Sequence, residues 1–366
     1  MKKIINRFLS VKNKKKRIYN IGYGEKRALV SYLSDCYDNL NIYEGGRTNR
    51  RECSIVVSVL NSLGYTVDLL DCRDSEPINS RRYDLVFGFG HPFRKSISDK
   101  KILYLTEQSP KFSYREELKR IDEYNTINQA SLKIERSGVF YEDADIEMSD
   151  GFITLGYENK LNLTIDYGIE SNRVECVYPT GVPSSISKAD FSKQSFLWFG
   201  SAGVVHKGLD ILCDVFKERP DLDLYVAGDI GRNKKLVPKL KNIHLCGYVE
   251  VCSKQFFDLI QTCSFVVLPS CSEGVPTGVI TCMQSGLIPI CTKVCSIQES
   301  QQFGFCLSTP DKNELFALID KASLLDSEEN EYLSKIIQSK SFHNYSESKF
   351  TESLKAALSQ LLNLNN

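Results

Sequence analysis

Short apolar runs alternate with longer amphipathic segments along most of the chain. The runs are rich in Val, Ile, Leu and Phe and stop at Gly, Pro or Asp, which is typical of buried strands. The segments between them repeat apolar residues at helical spacing; Val56 and Leu60, for example, share a helix face that ends before Gly64. The pattern predicts strands at 28–33, 65–70, 83–89, 102–105, 151–155, 196–199, 223–227, 243–245, 265–268 and 287–291. It predicts helices near 49–63, 111–127, 256–260, 314–325, 328–337 and 347–362 and after residues 209 and 276.

This alternation of strand and helix predicts an α/β protein with parallel sheets. A chain of 366 residues is long enough for two domains that each bury a core. Residues 184–195 are rich in Ser and Lys and suit a linker between the domains. We therefore predict a tail over 1–25, a first domain over 26–185, a second domain over 186–345 and a terminal helix over 346–366.

Composition excludes several classes of protein. The formal net charge is zero, which gives no support to bulk nucleic-acid binding. The chain has 13 Cys but no C-x-x-C pair and only four His, so we expect neither a zinc site nor another metal site. Several Cys lie within apolar runs, no secretory signal is visible, and no apolar run approaches about 18 residues. These features predict reduced thiols and a cytoplasmic protein without a membrane span.

The first residues form a basic segment. Residues 1–17 hold Lys2, Lys3, Arg7, Lys12, Lys14, Lys15, Lys16 and Arg17 without an acidic residue, and apolar residues interleave at roughly helical spacing. The segment is either a solvated tail or a basic amphipathic anchor on an anionic membrane surface, where each base contributes about 1 kcal/mol.

The stretch 264–292 contains the most specific chemistry. It reads as a strand, a polar loop, a helix beginning near Pro276 and a second strand. Ligands bind at the carboxyl ends of strands in open α/β sheets, and helix N-termini present free N–H groups to anions. Glu273 can accept hydrogen bonds from sugar hydroxyls, and Gly274 lets the backbone approach a ligand closely. The same residues would also suit an ordinary exposed turn.

A second loop with anion-binding character follows the strand predicted at 196–199. Gly200 and Ser201 open the loop, and Lys207 ends it just before a helix. A lysine in that place can neutralise a pyrophosphate as a point charge, or it can simply face solvent. His91 follows the strand predicted at 83–89 and is either a proton carrier or a loop residue.

These segments together resemble the retaining "group 1" glycosyltransferases of the GT-B fold. The resemblance rests on P-S-x-x-E-G-x-P at 269–276, on G-S-x-G-x-x-H-K-G-L-D at 200–210 and on P-T-G-V at 179–182. It covers most of the chain, and it is strongest over 196–292. It implies two Rossmann-like β/α/β domains facing each other across a cleft, with the acceptor on the first domain and a nucleotide sugar on the second. It also implies that the terminal helix crosses back to the first domain.

The resemblance assigns roles to individual residues. Glu273 would contact the donor sugar, and Lys207 would contact the diphosphate, with His91 as a third catalytic candidate. The donor would further contact Gly45 and Gly46 in the first domain and Gly200, Ser201, Val249, Gly274, Val275, Pro276, Thr277 and Thr281 in the second, with Val249 near the base. Two positions depart from the family pattern: Ser201 stands where the family usually has Arg, and Thr281 stands where it has the second Glu, which holds the ribose.

The resemblance implies an enzyme that transfers a sugar, with retention, from a nucleoside-diphosphate sugar to a hydroxyl of a growing, lipid-linked glycan in bacterial surface polysaccharide or lipopolysaccharide synthesis. No cofactor beyond the nucleotide sugar is expected. The enzyme would be cytoplasmic or peripheral on the inner face of the plasma membrane. The two departures leave open an alternative, a catalytically weakened GT-B protein that serves as a scaffold or partner subunit in a glycan-assembly complex. An epimerase or a phosphorylase on the same fold fits less well.

Overall fold

The amino-terminal half is built on one seven-stranded sheet. The computed structural model describes residues 17–37, 48–78, 81–182, 188, 190–192 and 194–364. The strands are β1 (Ile18–Ile21), β2 (Lys26–Tyr32), β3 (Tyr65–Asp71), β4 (Arg82–Gly88), β5 (Ile97–Leu105), β6 (Gly151–Leu155) and β7 (Val174–Val177). Their order is β1-β3-β2-β4-β5-β6-β7, and all neighbours pair in parallel except β1 and β3. The order reverses between β2 and β4, so the carboxyl ends of these strands border a crevice.

The carboxyl-terminal half repeats this plan with six strands. They are β8 (Ser195–Phe199), β9 (Leu224–Ala227), β10 (Ile243–Gly247), β11 (Cys263–Leu268), β12 (Ile288–Thr292) and β13 (Phe305–Leu307). Their order is β10-β9-β8-β11-β12-β13, and every pair is parallel. The order reverses between β8 and β11, and the two loops that carry the predicted donor site follow these two strands. The predicted α/β class is confirmed.

Helices lie between most successive strands, and three more follow the last strand. They are α1 (Thr48–Ser62), α2 (His91–Lys95), α3 (Pro110–Asn128), α4 (Asp143–Glu147), α5 (Tyr157–Tyr167), α6 (Leu209–Glu218), α7 (Lys254–Thr262), α8 (Thr277–Gln284), α9 (Gln298–Gln302), α10 (Lys312–Ser323), α11 (Ser327–Asn344) and α12 (Glu347–Leu361). Several begin at the side-chain caps that favour helix initiation; the capping box of Asp326 and Glu329 starts α11. The last helix, α12, packs against α1 and β7 of the first half through Phe350, Leu354 and Leu358.

Each sheet buries apolar side chains against its helices. In the second half Phe196 stacks on Phe265 with ring centroids 4.8 Å apart, and the Trp198 side chain is fully buried. Cys213, Cys263, Cys282 and Cys291 are free and buried, as expected for Cys residues that act as small apolar side chains.

Two sequence predictions in the first half need correction. Ile18–Ile21, which the sequence placed in the tail, form an antiparallel edge strand on β3, because their apolar side chains pack against the domain. Arg17 is part of the same structure: its Nε lies 2.8 Å from Asp74 Oδ2. The high charge of the helix predicted at 111–127 indicates an exposed helix, but Glu117 and Arg120 on its inner face are buried. Residues 1–16 and half of the linker predicted at 184–195 (184–187, 189 and 193) lie outside the described residues.

Candidate active site

A cleft opens where the loops at the carboxyl ends of the two sheets face each other. It encloses a cavity of about 440 Å³. Gly200, Ser201 and Lys207 line it from the loop after β8, and Glu273 and residues 275–278 line it from the loop after β11. The opposite wall belongs to the first half of the chain. The structure thus brings together most of the second-half residues that the sequence pointed to.

Glu273 lies at the base of this cleft as a buried carboxylate. Its Oε1 contacts Lys207 Nζ directly and accepts a hydrogen bond of 3.2 Å from Ser270 Oγ. Burial alone would raise the pKa of Glu273, but the nearby charges of Lys207, His206 and Arg136 hold it below its ordinary value. The carboxylate is therefore ionised at neutral pH and can accept hydrogen bonds from a ligand.

Lys207 is positioned by the turn that leads into α6. Its backbone carbonyl accepts a hydrogen bond of 3.2 Å from Trp198 Nε1, and the following Gly208 adopts φ 65°, a conformation that favours glycine. The ammonium group is buried and has Glu273 as its carboxylate partner. The sequence predicted a lysine free to receive a diphosphate. In the structure the Lys207 ammonium group is already paired with the Glu273 carboxylate. An incoming phosphate therefore competes with this carboxylate for the lysine.

The first turn of α8 forms another part of the wall. Pro276 precedes the helix, and no side chain caps the helix at this end. Pro276, Thr277 and Gly278 line the cavity, so the positive end of the helix dipole faces it. Gly274 does not line the cavity; a Cβ there would lie 2.3 Å from the Thr106 carbonyl oxygen of the opposite wall. Only glycine allows the two halves to approach so closely at this point.

Several predicted site residues do not lie at the cleft. His91 begins α2, where its backbone N–H donates to the Cys72 carbonyl, and its side chain is not part of the cavity wall. Val249 is buried in the core after β10. His91 was selected because it follows a strand, and Val249 because of the family resemblance, but loops after strands can also turn away from the crevice. Gly45 and Gly46 lie outside the described residues.

Thr281 is also placed differently from the prediction. Its side chain is buried on α8; its Oγ1 donates to the Thr277 carbonyl at 2.9 Å and accepts from the Val182 N–H at 3.2 Å. The hydroxyl therefore holds the segment that crosses between the domains, not a wall of the cavity. An eight-residue spacing from Glu273 brings Thr281 to the inner side of the helix, where the crossing backbone packs.

Glu52 follows the candidate cap residues Thr48 and Asn49 by three or four positions, so its sequence context indicates a capping residue of α1 and gives it no role in the site. Glu52 lines the cavity, is nearly fully buried and accepts hydrogen bonds of 3.3 Å from Tyr32 Oη and from the Thr180 N–H. Burial raises the pKa of Glu52 to about 7, although both hydrogen bonds oppose the rise. A carboxyl group of this kind can hold or release a proton near neutral pH. Its signal in the sequence was an acidic residue within an otherwise apolar helix face.

Residues 106–109 form a polar tip after the strand predicted at 102–105, which the sequence places at the cleft without giving Glu107 a role. Tyr141 Oη accepts hydrogen bonds from the Thr106 N–H at 3.0 Å, and Asn159 Nδ2 donates to the Glu107 carbonyl at 2.6 Å. Gln108 Nε2 crosses the cleft and donates to the Glu273 carbonyl at 2.8 Å. Burial raises the pKa of Glu107, and the Arg136 guanidinium opposes that rise. The loop after β5 is thereby fixed against the loop after β11.

Two negative findings apply to the part of the chain that the structure describes. Within it, no three His, Cys, Asp or Glu side chains converge as metal ligands would. None of its helices combines the length and the apolar character that crossing a bilayer requires.

Comparison with known proteins finds a family model that matches part of the second half of the chain. Residues 193–323 match the model of the group 1 glycosyl transferases. The match includes the loops that carry Lys207 and Glu273. No curated protein is significantly similar in sequence.

Solved structures with the same fold cover nearly the whole chain. Sucrose-phosphate synthase from Thermosynechococcus elongatus aligns with a TM-score of 0.64 at 12% identity, over 93% of this chain and 99% of that one. Anabaena HepE, solved in complex with UDP and glucose, aligns with a TM-score of 0.59 at 13% identity, over 92% of this chain and 100% of that one. WaaG, a glycosyltransferase involved in lipopolysaccharide biosynthesis, aligns with a TM-score of 0.53 at 14% identity, over 90% of this chain and 98% of that one. At these identities the likeness establishes the fold, which is GT-B. The group 1 domain at 193–323, set in a GT-B fold with the cleft between its two sheets, supports the assignment of this chain as a glycosyltransferase.

Proposed function

We propose that this protein is a retaining glycosyltransferase that uses a nucleoside-diphosphate sugar and transfers the sugar to a hydroxyl of a growing, lipid-linked glycan in bacterial surface polysaccharide synthesis. The observation that carries the proposal is the group at the base of the cleft. There a buried ionised Glu273, a buried Lys207 and the uncapped start of α8 line one cavity. The carboxylate can accept hydrogen bonds from sugar hydroxyls, and the lysine and the helix N-terminus can bind phosphates. This combination fits a nucleotide sugar.

The chemistry follows from these positions. Transfer breaks the bond between the anomeric carbon and the diphosphate oxygen, so positive charge grows on the sugar and negative charge on the leaving diphosphate. Lys207 and the N-terminus of α8 stabilise that negative charge, as preorganised groups do in an oxyanion site. Glu273 accepts hydrogen bonds from the sugar and orients it. Because Glu273 also contacts Lys207, binding of the diphosphate must exchange one ion pair for another.

The acceptor hydroxyl would approach from the first-domain wall. Glu52 and Glu107 lie there, and burial raises the pKa of both carboxyl groups. A carboxyl group with a pKa near 7 is suited to receive a proton from a hydroxyl at neutral pH. The glycan character of the acceptor is supported by the fold shared with WaaG, and the nucleotide sugar by the fold shared with the UDP complex of HepE.

The first test is nucleotide binding. We expect Lys207→Ala to weaken binding of the preferred nucleotide among UDP, GDP and ADP by about 10- to 100-fold, the effect of losing one charge-assisted hydrogen bond. Isothermal titration calorimetry with the three nucleotides measures this change. Lys207→Gln, which keeps a donor on a stem of similar length, should lose less, and it guards against misfolding of the alanine variant.

A matched control is Lys254→Ala, which removes a lysine whose side chain is 88% exposed on the same domain. It should bind nucleotides like wild type. Equal affinity of wild type and Lys207→Ala would remove Lys207 from the donor site. If wild type binds none of the three nucleotides at millimolar concentration, the scaffold alternative replaces the enzyme.

We further propose that the basic segment places this activity on the inner face of the membrane. Of its eight bases only Arg17 lies within the described residues, and Arg17 is already held by Asp74 and Glu76, at 2.8 and 3.2 Å. Deletion of residues 2–16, which spares this anchor, should shift the protein from anionic liposomes to the supernatant. Raised salt should release the intact protein in the same way, because it screens the attraction. Unchanged cosedimentation after the deletion would leave only a solvated tail.

A further inference from the structure

Arg136 lies in the loop between α3 and α4, and no motif pointed to it. Its side chain lines the same cavity as Ser201, Lys207 and Glu273, although it belongs to the opposite half of the chain. Its Nη2 donates to Glu107 Oε1, while its Nε is buried without a hydrogen-bond partner. A buried guanidinium N–H without an acceptor has a cost unless a ligand supplies one.

The stem of Arg136 packs directly on the loop after β8. Gly203 in that loop adopts φ +85°, and a Cβ on it would lie 2.7 Å from Arg136 Cγ and 3.1 Å from Cδ. The loop therefore contains glycine where the arginine of the other domain crosses it. The contact lies two residues along the loop from Ser201, which lines the same cavity and stands where the family pattern has its own arginine.

The loop that carries Arg136 is held rigidly. The buried Glu117 on α3 accepts hydrogen bonds from the backbone N–H groups of Glu135, Arg136 and Ser137 at 2.9, 3.0 and 2.7 Å. Burial alone would raise the pKa of Glu117, but the nearby His206 ring and the hydrogen bond from Ser137 Oγ lower it to about 2, so the carboxylate stays ionised.

His206 connects this anchor to the opposite domain. Its Nδ1 lies 3.6 Å from Glu117 Oε2, and its Nε2 lies 2.5 Å from the Ser272 carbonyl in the donor loop. The buried Glu117 and His206 side chains thus lie between the loop that carries Arg136 and the loop that carries Glu273, and they hold both in place. An arginine preorganised in this way loses less conformational entropy when it binds a ligand.

The charges in the cavity point to the ligand group. Lys207 is paired with Glu273 and Arg136 with Glu107, so the cations already have carboxylate partners. A diphosphate carries more negative charge than Lys207 alone can balance while Glu273 remains beside it. A guanidinium offers a planar fork that matches two phosphate oxygens.

We propose that Arg136 binds the diphosphate of the donor from the amino-terminal domain, in place of the arginine that Ser201 replaces in the carboxyl-terminal loop. The inference deepens the proposed function and rests on it. Donor binding then requires both domains, because each domain supplies groups that bind the phosphates. The guanidinium exchanges Glu107 for phosphate oxygens when the donor binds.

The test compares a phosphate-bearing probe with one that lacks phosphate. Arg136→Ala should lower the affinity for UDP by about 10- to 100-fold, the effect of losing a charge-assisted pair, and leave the affinity for uridine unchanged. Arg136→Lys, which keeps the charge without the fork, should lose only part of the UDP affinity. Ser201→Arg should restore UDP binding in the Arg136→Ala background. Calorimetry measures the affinities of wild type and the three variants, and thermal unfolding verifies that each variant is folded.

Two controls separate this role from others. Arg115→Ala removes an arginine on α3 that pairs with Asp166 and is half exposed, and it should bind UDP like wild type. The double variant Arg136→Ala/Glu107→Gln should remain weak; full recovery would mean that only repulsion by an unpaired Glu107 was measured, and would overturn the inference. Equal UDP affinity in Arg136→Ala and wild type, or equal losses for UDP and uridine, would overturn it as well. Failure of wild type and Lys207→Ala to bind any nucleotide would instead remove the proposed function, and the inference with it.

Discussion

Glu273→Gln should lower turnover by about 10²- to 10³-fold while it tightens nucleoside-diphosphate binding. The loss of turnover follows from the loss of the charged acceptor that orients the donor sugar, and removal of one preorganised polar group at a reacting centre has effects of this size. The gain in binding follows from the contact between Glu273 and Lys207. Without the carboxylate, the Lys207 ammonium no longer has to exchange partners before it binds phosphate.

Turnover is measured as release of nucleoside diphosphate from the donor sugar that the binding screen selects, and affinity by calorimetry with the matching nucleotide. Glu250→Gln, which neutralises an exposed carboxylate on the same domain, is the matched control and should change neither quantity. Unchanged turnover in Glu273→Gln would show that the sugar is oriented elsewhere. Weaker nucleotide binding would show that Glu273 supports Lys207 and does not compete with the phosphate.

The fold was predictable from sequence where the signal was local. Strands such as β6 and β11 are continuous apolar runs that are buried on both faces, so their pattern indicates them almost to the residue. The edge strand β1 is short and follows a run of Lys and Arg, so its composition resembles a tail. Its strand character comes from pairing with β3, which lies far along the chain and leaves no local trace.

In the candidate site, too, local motifs predicted some residues, and contacts between distant segments determine the position of others. Glu273 and Lys207 occur in short motifs whose loops must face the crevice, and both lie in the cavity. Thr281 illustrates the limit, because spacing alone does not show which side of α8 faces the ligand. Glu117 illustrates a second limit. The charge-rich sequence of α3 indicates an exposed helix, but the Glu117 carboxylate is buried and accepts hydrogen bonds from three backbone N–H groups beyond the end of that helix. Contacts of this kind depend on how distant segments meet.

A buried ion pair between α3 and α6 joins the two halves of the cleft. Arg120 on α3 donates to Asp210 on α6 at 2.7 Å, and both side chains are less than a tenth exposed. The pair is incompletely satisfied, because Arg120 Nε and Asp210 Oδ1 are buried without hydrogen-bond partners. Burial raises the pKa of Asp210 to about 6 even though Arg120 opposes the rise. Desolvation therefore outweighs the attraction at this carboxylate.

Arg120→Ala should lower the free energy of unfolding by about 3–5 kcal/mol above pH 6, because it leaves the Asp210 carboxylate buried and uncompensated. Asp210 titrates near 3.8 in the unfolded chain and near 6 in the folded one. Between these values the folded chain holds a proton that the unfolded chain has lost, so this group makes stability fall as pH rises through that window. Without Arg120 the pKa of Asp210 rises further, so as pH falls from 8 the carboxyl group of the variant protonates before that of wild type, and the penalty of the variant should shrink.

The double variant Arg120→Leu/Asp210→Leu provides the matched comparison. Apolar side chains of similar volume need no hydrogen-bond partners, so it should unfold at or above the wild-type temperature, with a weaker dependence on pH. Thermal unfolding at pH 5 and pH 8 ranks the three proteins. If Arg120→Ala is as stable as wild type at pH 8, water reaches the pair and the domains are held by other contacts. If the double variant is stable but loses UDP affinity, the pair serves the alignment of the two walls of the cleft and not the stability of the fold.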